Sequence, residues 1–126
     1  MLLIDTQIKP FKATAFKPEE EDFVIIDSDK LMGRWCVFFF YPADFTYVCP
    51  TELGDLADNY NEFKSRDVEI FAVSTDSHFC HKAWHDSSET IKKIQYTMIS
   101  DSTFEISRNF GVLRENEGRS ERGTFI

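Results

Sequence analysis

The sequence predicts an α/β fold built on parallel strands, and three neighbouring stretches carry that expectation. Trp35 to Tyr41 (Trp-Cys-Val-Phe-Phe-Phe-Tyr) is an apolar run without polar alternation, the pattern of a strand covered on both faces. Leu53, Leu56, Ala57, Tyr60 and Phe63 then recur at helical spacing, while Asp55, Asp58, Asn59, Glu62 and Lys64 lie largely elsewhere on the helix. Val68 to Ser74 is the next strand. Strand, helix and strand at this spacing imply a right-handed crossover and a parallel pair.

The remaining elements follow in order. Ile4, Ile8 and Phe11 anchor an edge segment, with Pro10 arguing against a long central strand there. Pro18-Glu19-Glu20-Glu21-Asp22 reads as a solvated charged turn, Phe23–Ile26 as a short strand, and Asp27 to Gly33 as a polar or short helical turn. Pro50 suits the first turn of the helix that follows the apolar strand, and Glu52 suits its dipole. Asp76 or Ser77 caps a second helix running from His78 to Trp84 or on to Ile94, with a break and a new turn at Ser88 as the alternative. Tyr96 to Ser100 is a third buried strand. Thr103 to Asn109 is a short helix that Gly111 stops. Arg114 to Arg122 is a charged loop, and Gly123–Ile126 begins another strand.

With 126 residues, residues 1–126 read as a single domain with a real core. Hydrophobic residues make up 42% of the chain and thirteen are Phe, so much of that core is aromatic. A net charge of −8 argues against nucleic acid or an anionic membrane as the main partner. No apolar run is long enough for a bilayer, and the start lacks the basic region of a signal peptide, so the expected location is cytoplasmic. Three cysteines, Cys36, Cys49 and Cys80, lack CxxC or zinc-like spacing, which fits a reducing compartment better than a disulfide framework. Cys36, inside the apolar run, reads as a small buried hydrophobe.

Cys49 is different. It closes a polar loop immediately before a helix, where unpaired N–H groups favour thiolate over thiol. Such positions pull a cysteine pKa from about 8.5 into the range of roughly 3.5–7.5.

The loop also carries a resemblance. Pro42-x-x-x-Thr46-x-x-Cys49 is the signature arrangement of the peroxiredoxins, and Phe38 to Thr46 with Val48-Cys49-Pro50-Thr51-Glu52 resembles their typical two-cysteine group. Ser74-Thr75-Asp76-Ser77-His78-Phe79 and His81-Lys82-Ala83-Trp84-His85 are similar to its bacterial alkyl hydroperoxide reductase C branch. The resemblance implies a thioredoxin-like fold and a thiol peroxidase that reduces hydrogen peroxide and organic hydroperoxides. It makes Cys49 the peroxidatic thiol that becomes a sulfenic acid, Arg122 the guanidinium that supports thiolate and developing oxyanion, and Glu52 the carboxylate that orients this arginine. Thr46 is placed to reach sulfur and peroxide, and Pro42 to shield the thiolate from water. No cofactor or metal is implied. Expected partners are the peroxide, an external thiol or disulfide reductase of thioredoxin-like or flavoprotein type, and a second copy in a homodimer or larger ring.

His78, His81 and His85 share one helical face, a spacing able to hold a metal, but read as surface or subunit-contact residues. Trp84 reads as a packing or interface aromatic, and Phe45, Tyr47 and Val48 as the apolar wall of the site. The typical group has a resolving cysteine near its C-terminus, whereas nothing beyond Cys80 is a cysteine here. The chain therefore reads as C-terminally truncated, lacking the last strand and helix of the fold, with a fragment favoured over a natural short form because an apolar edge at Phe125-Ile126 is left bare. Cys80 is the one in-chain substitute for the resolving thiol, provided the two Cα atoms come within about 7 Å. A non-catalytic redox sensor or chaperone-like assembly protein is the alternative function.

Overall fold

The computed structural model describes residues 3–46 and 49–126, with the side chain of Cys49 left outside. Among the described residues, β1 (Lys12–Lys17), β2 (Asp22–Asp27), β3 (Trp35–Phe40), β4 (Val68–Ser74), β5 (Thr97–Ser100) and a terminal strand (Gly123–Phe125) form one sheet in the order β2-β1-β5-β4-β3-terminal strand. The helices are α1 (Cys49–Asp58), α2 (Tyr60–Ser65), α3 (His78–Ser87) and α4 (Glu105–Asn109). Leu113–Arg114 and Arg119–Ser120 pair as a small hairpin, β6 and β7, which makes the terminal strand β8.

The expected parallel core is present. β3 pairs parallel with β4 from Trp35–Val68 to Phe40–Val73, and β4 pairs parallel with β5. Successive side chains enter opposite faces of the sheet. Val37, Tyr41, Ile70, Ala72 and Met98 join Leu53, Trp84 and Tyr96 in one core. Phe38, Phe40, Phe71, Val73 and Ile99 join Ile106 and Phe110 in the other. The aromatic character reaches deepest on the second face, where Phe38 stacks on Phe71 at 5.3 Å and Phe40 and Phe125 meet edge to face at 5.7 Å.

Several expectations change. The segment around Phe11 leads into β1, an interior strand between β2 and β5, so β2 rather than the N-terminal segment forms that edge. Phe11 itself is a core residue; Pro10 lies just outside β1, so the strand escapes its restriction. The single helix expected from Pro50 to its close at Ser65-Arg66-Asp67 breaks at Asn59, whose side-chain amide donates to the Asp55 carbonyl and competes with the helical ladder. Of the two caps, Ser77 is the one used, accepting from the Cys80 N–H. α3 ends at Ser87, and Ser88 accepts from Ile91 N at the start of a short 3-10 turn (Ile91–Lys93). The charged loop from Arg114 to Arg122 contains β6 and β7. Its turn uses Gly118 at φ 64, in the left-handed region. Cys36 is half-buried rather than buried, because β3 begins at the exposed Trp35. Burial still pushes its thiol pKa up.

Candidate active site

The three parallel strands end together, and the site is built on those ends. Tyr41 N donates to Val73 O at 3.1 Å and Asp101 N to Ser74 O at 2.8 Å, which fixes where each strand stops. Beyond them the chain exits as the loop of residues 42–46. Pro42 is half-buried, and the Thr46 hydroxyl donates to Ala43 O at 3.0 Å, closing the loop on itself. Phe45 sits at φ 59 in the left-handed region, which a bulky side chain rarely adopts. Its exposed ring lies 6.0 Å from the buried Trp84, so Trp84 is a packing aromatic.

Helix α1 starts at Cys49 itself, one residue before the expected first helical position at Pro50. The position of the sulfur, and Tyr47 and Val48 of the expected apolar wall, lie outside the described residues. Glu52 occupies the first turn of that helix, and Arg122, 70 residues away, reaches it: Nε lies 3.0 and 3.1 Å from the two carboxylate oxygens. The structure thus joins Glu52 and Arg122 at the cysteine's end of α1. The arginine is brought there by its neighbours as well. Ser120 Oγ donates to Tyr41 O at 2.8 Å, and Thr75 Oγ1 to Gly118 O at 2.7 Å, tying the β6–β7 hairpin to the ends of β3 and β4.

The residues that sequence reasoning missed form a buried polar cluster beneath the loop. Asp44 is 6% exposed. Its Oδ1 accepts from Tyr41 OH at 2.5 Å and its Oδ2 meets His81 Nδ1 at 2.6 Å. Its backbone N–H donates to Asp76 Oδ2 at 2.8 Å, an oxygen that also accepts from Ser74 Oγ at 2.7 Å. Ser100 Oγ holds the Asp76 carbonyl at 2.7 Å. His81 therefore does not belong to the surface: it is fully buried. Its other nitrogen, Nε2, faces Ile99 O at 2.9 Å, so both ring nitrogens point at acceptors, which only an imidazolium satisfies. Burial lowers its pKa, but the hydrogen bond and charge of Asp44 outweigh that and the net shift is upward. The signal was present: His81 and Trp84, three apart, share the buried face of α3. The expected histidine face does not converge, since His85 donates to Ile94 O at 3.0 Å while His78 packs on Phe23.

Asp44, Asp76 and Cys80 offer ligand atoms within 4.8 Å of one another. Protein donors already occupy these carboxylates, as the contacts above show. Burial, then Asp44 and Asp76, push the Cys80 thiol up to about 12. At neutral pH it is a neutral thiol, a poor attacking group for a sulfenic acid. Tyr41, buried beside Asp44, is likewise shifted well upward.

The profile described as the AhpC/TSA family matches residues 5–126. The chain belongs to the AhpC/TSA family. It is 60% identical over all of its length to alkyl hydroperoxide reductase C of Escherichia coli K12, and 58% identical to the Salmonella typhimurium protein of the same name. It spans 66% of the length of each of these relatives. Among solved structures, Enterococcus faecalis AhpC superposes with a TM-score of 0.94 at 42% identity, covering 99% of this chain and 74% of that one. A Plasmodium yoelii Prx1a, modified at its N-terminus and described as forming an artifactual octamer, gives 0.86 at 34% identity, covering 95% and 70%. The thioredoxin-like peroxiredoxin architecture is thus the fold of this AhpC/TSA chain, as expected.

Proposed function

We propose that the chain is a thiol peroxidase of the peroxiredoxin type, acting on hydrogen peroxide and organic hydroperoxides through Cys49. The observation that carries this reading is the Glu52–Arg122 pair on the first turn of the helix that Cys49 opens. It sets a permanently charged guanidinium beside the end of a helix whose free N–H groups already favour anionic sulfur. The thiolate attacks one peroxide oxygen, an S–O bond forms and the O–O bond breaks. The departing alkoxide or hydroxide takes a proton and leaves as alcohol or water, and Cys49 remains as sulfenic acid. Arg122 stabilises the charge that develops on the leaving oxygen. Because the Thr46 proton is directed at Ala43 O, Thr46 offers lone pairs and accepts the hydroperoxide O–H, holding the substrate in line. Pro42 excludes water from the thiolate.

Recycling uses an external thiol or a disulfide reductase, thioredoxin-like or flavoprotein, since the neutral Cys80 thiol is ill suited to resolve Cys49. Residues 1–126 act as one domain, because both cores share one sheet. A homo-oligomer, a homodimer or larger ring, is supported by the exposed Phe45 and Phe79. A cytoplasmic location is supported by Cys36 and Cys80 being free thiols; among the described residues no helix is long and apolar enough to cross a membrane.

The test is peroxide consumption with dithiothreitol as reductant. Cys49→Ser abolishes it, and Cys80→Ser retains it. Reversible oxidation of Cys49 without turnover under any reductant replaces the peroxidase by a redox sensor.

A further inference from the structure

The Pro42–Thr46 loop has no secondary structure of its own, yet it holds a left-handed Phe45. A conformation this sparsely populated persists only where the surroundings over-determine it. The restraint converges on one residue of the loop, Asp44, and comes from elsewhere in the fold. Tyr41 and His81 hold the Asp44 side chain, while the Asp76 carboxylate holds its backbone N–H at 2.8 Å. Of these contacts, the one from Asp76 acts on the main chain, one residue before Phe45 and two before Thr46.

Asp76 is in turn fixed by the strands. Its Oδ2 accepts from Ser74 Oγ, its N–H donates to Ser74 Oγ at 3.3 Å, and its carbonyl accepts from Ser100 Oγ. Ser74 and Ser100 are register partners at the ends of β4 and β5. A rigid two-strand edge is thereby transmitted through one carboxylate to the loop that carries Thr46. Asp44 and Asp76 stand close enough to repel, and the protein offsets this with donors: His81 and Tyr41 on Asp44, Ser74 on Asp76, and the Cys80 thiol 4.0 Å from Asp76 Oδ1.

We propose that Asp76 is a positioning residue for the peroxide reaction, setting the Pro42–Thr46 loop, and with it the Thr46 hydroxyl, by accepting the Asp44 peptide N–H. This rests on the peroxidase reading above. Asp76 acts through the loop.

Two variants test it. Asp76→Ala removes the acceptor, while Asp76→Asn keeps an amide oxygen for the same N–H without the charge. Hydrogen exchange of residues 41–46 measures the clamp directly. In Asp76→Ala it rises about tenfold, the loss of one hydrogen bond, while β4 stays within about twofold because its ladder is untouched. The rate of Cys49 with hydrogen peroxide falls about 10- to 100-fold, as a small misplacement costs an aligned reaction. Its alkylation by iodoacetamide, which needs only the thiolate, changes less than about threefold. Asp76→Asn recovers exchange and peroxide rate to within about threefold. Equal losses towards both reagents, unaltered exchange in Asp76→Ala, raised exchange with an unaltered peroxide rate, or no recovery in Asp76→Asn each overturn the assignment. An unmodified chain that alkylates normally but ignores peroxide overturns the peroxidase reading and the catalytic role together; unaltered exchange with a normal wild-type peroxide rate overturns the Asp76 assignment alone.

Discussion

The two ends of the central strands carry charge in opposite ways. At the beginning of β3 and β4, Arg34 pairs with Glu69 across the register with both side chains substantially exposed, and Trp35 stands in solvent. At the far end, Asp44 and His81 pair with no exposure of either side chain and satisfy one another together with Tyr41 and Ile99. An exposed pair is worth about 0–1 kcal/mol. A buried one adds little net stability, but removing one partner strands the other at a cost of about 3–5 kcal/mol. The end where charge is locked in place is the end that faces the Pro42–Thr46 loop.

The largest effect expected from this contrast is on stability. His81→Ala leaves the Asp44 carboxylate buried without its cation and is expected to cost about 3–5 kcal/mol in urea unfolding, whereas Arg34→Ala costs less than about 1 kcal/mol. The double variant Asp44→Ala, His81→Ala loses less than the sum of its parts, because the stranded charge is gone. Equal losses for His81→Ala and Arg34→Ala erase the distinction between the two ends.

Glu52–Arg122 sharpens the comparison, since it belongs to the site but has exposed side chains, 33% and 45%. Its contribution to folding follows the exposed rule: Arg122→Lys shifts stability by less than about 1 kcal/mol. On the proposed peroxidase reading its contribution to reaction does not. Losing a planar, multi-donor cation beside the developing oxyanion is then expected to lower the rate of Cys49 with hydrogen peroxide by about 100-fold, read in single-turnover stopped flow. Glu52→Gln, which keeps an acceptor but not the charge, is milder, about tenfold.

This division also marks what the sequence made legible. Apolar periodicity exposed β3, β4 and α1, because their burial is written in consecutive residues. The loop signature named Pro42, Thr46 and Cys49 as candidates, and the pairing of Arg122 with Glu52 followed from the resemblance. The Asp44–His81 pair spans 37 residues, and neither half is unusual locally: one is an acidic residue in a loop, the other a polar residue on an amphipathic helix. Only the sheet, which brings the start of α3 under the exit of β3, turns two ordinary polar residues into a buried ion pair. The interior place of β1 was hidden for a similar reason, since its ladder with β5 runs through Ala15 and Phe16, far from Met98 and Ile99 in sequence.

A smaller step concerns Tyr41, whose hydroxyl donates to the same carboxylate at 2.5 Å. Tyr41→Phe keeps the ring between Trp84 and the sheet and removes one hydrogen bond to a charged acceptor. The expected loss is about 1.5–3 kcal/mol, below that of His81→Ala because the carboxylate keeps its cation. A loss matching His81→Ala would mean the hydroxyl, not the imidazolium, neutralises the pocket.

The subtlest difference between the two ends is in pH. Asp44 holds the His81 pKa above its ordinary value near 6.5 despite the lowering effect of burial. The folded state thus favours the protonated ring, so this stability is fully present below pH about 6.5 and is lost as pH rises through the folded pKa. Other groups facing the cluster must be separated from it. Cys80, raised to about 12, has the same sign but acts only above the unfolded thiol value of about 8.5; Tyr41, pushed well above its ordinary value near 10 by burial and then by Asp44, has the same sign and acts only above that value. A Cys49 thiolate favoured by its helix has the opposite sign. In Cys49→Ser, Cys80→Ser protein, the urea midpoint is therefore expected to fall between pH 6 and 9. Adding Asp44→Asn together with His81→Gln removes the titrating ring without stranding a buried carboxylate and flattens that slope, whereas Arg34→Ala leaves it intact. A slope that survives in the Asp44→Asn, His81→Gln variant places the titrating group elsewhere.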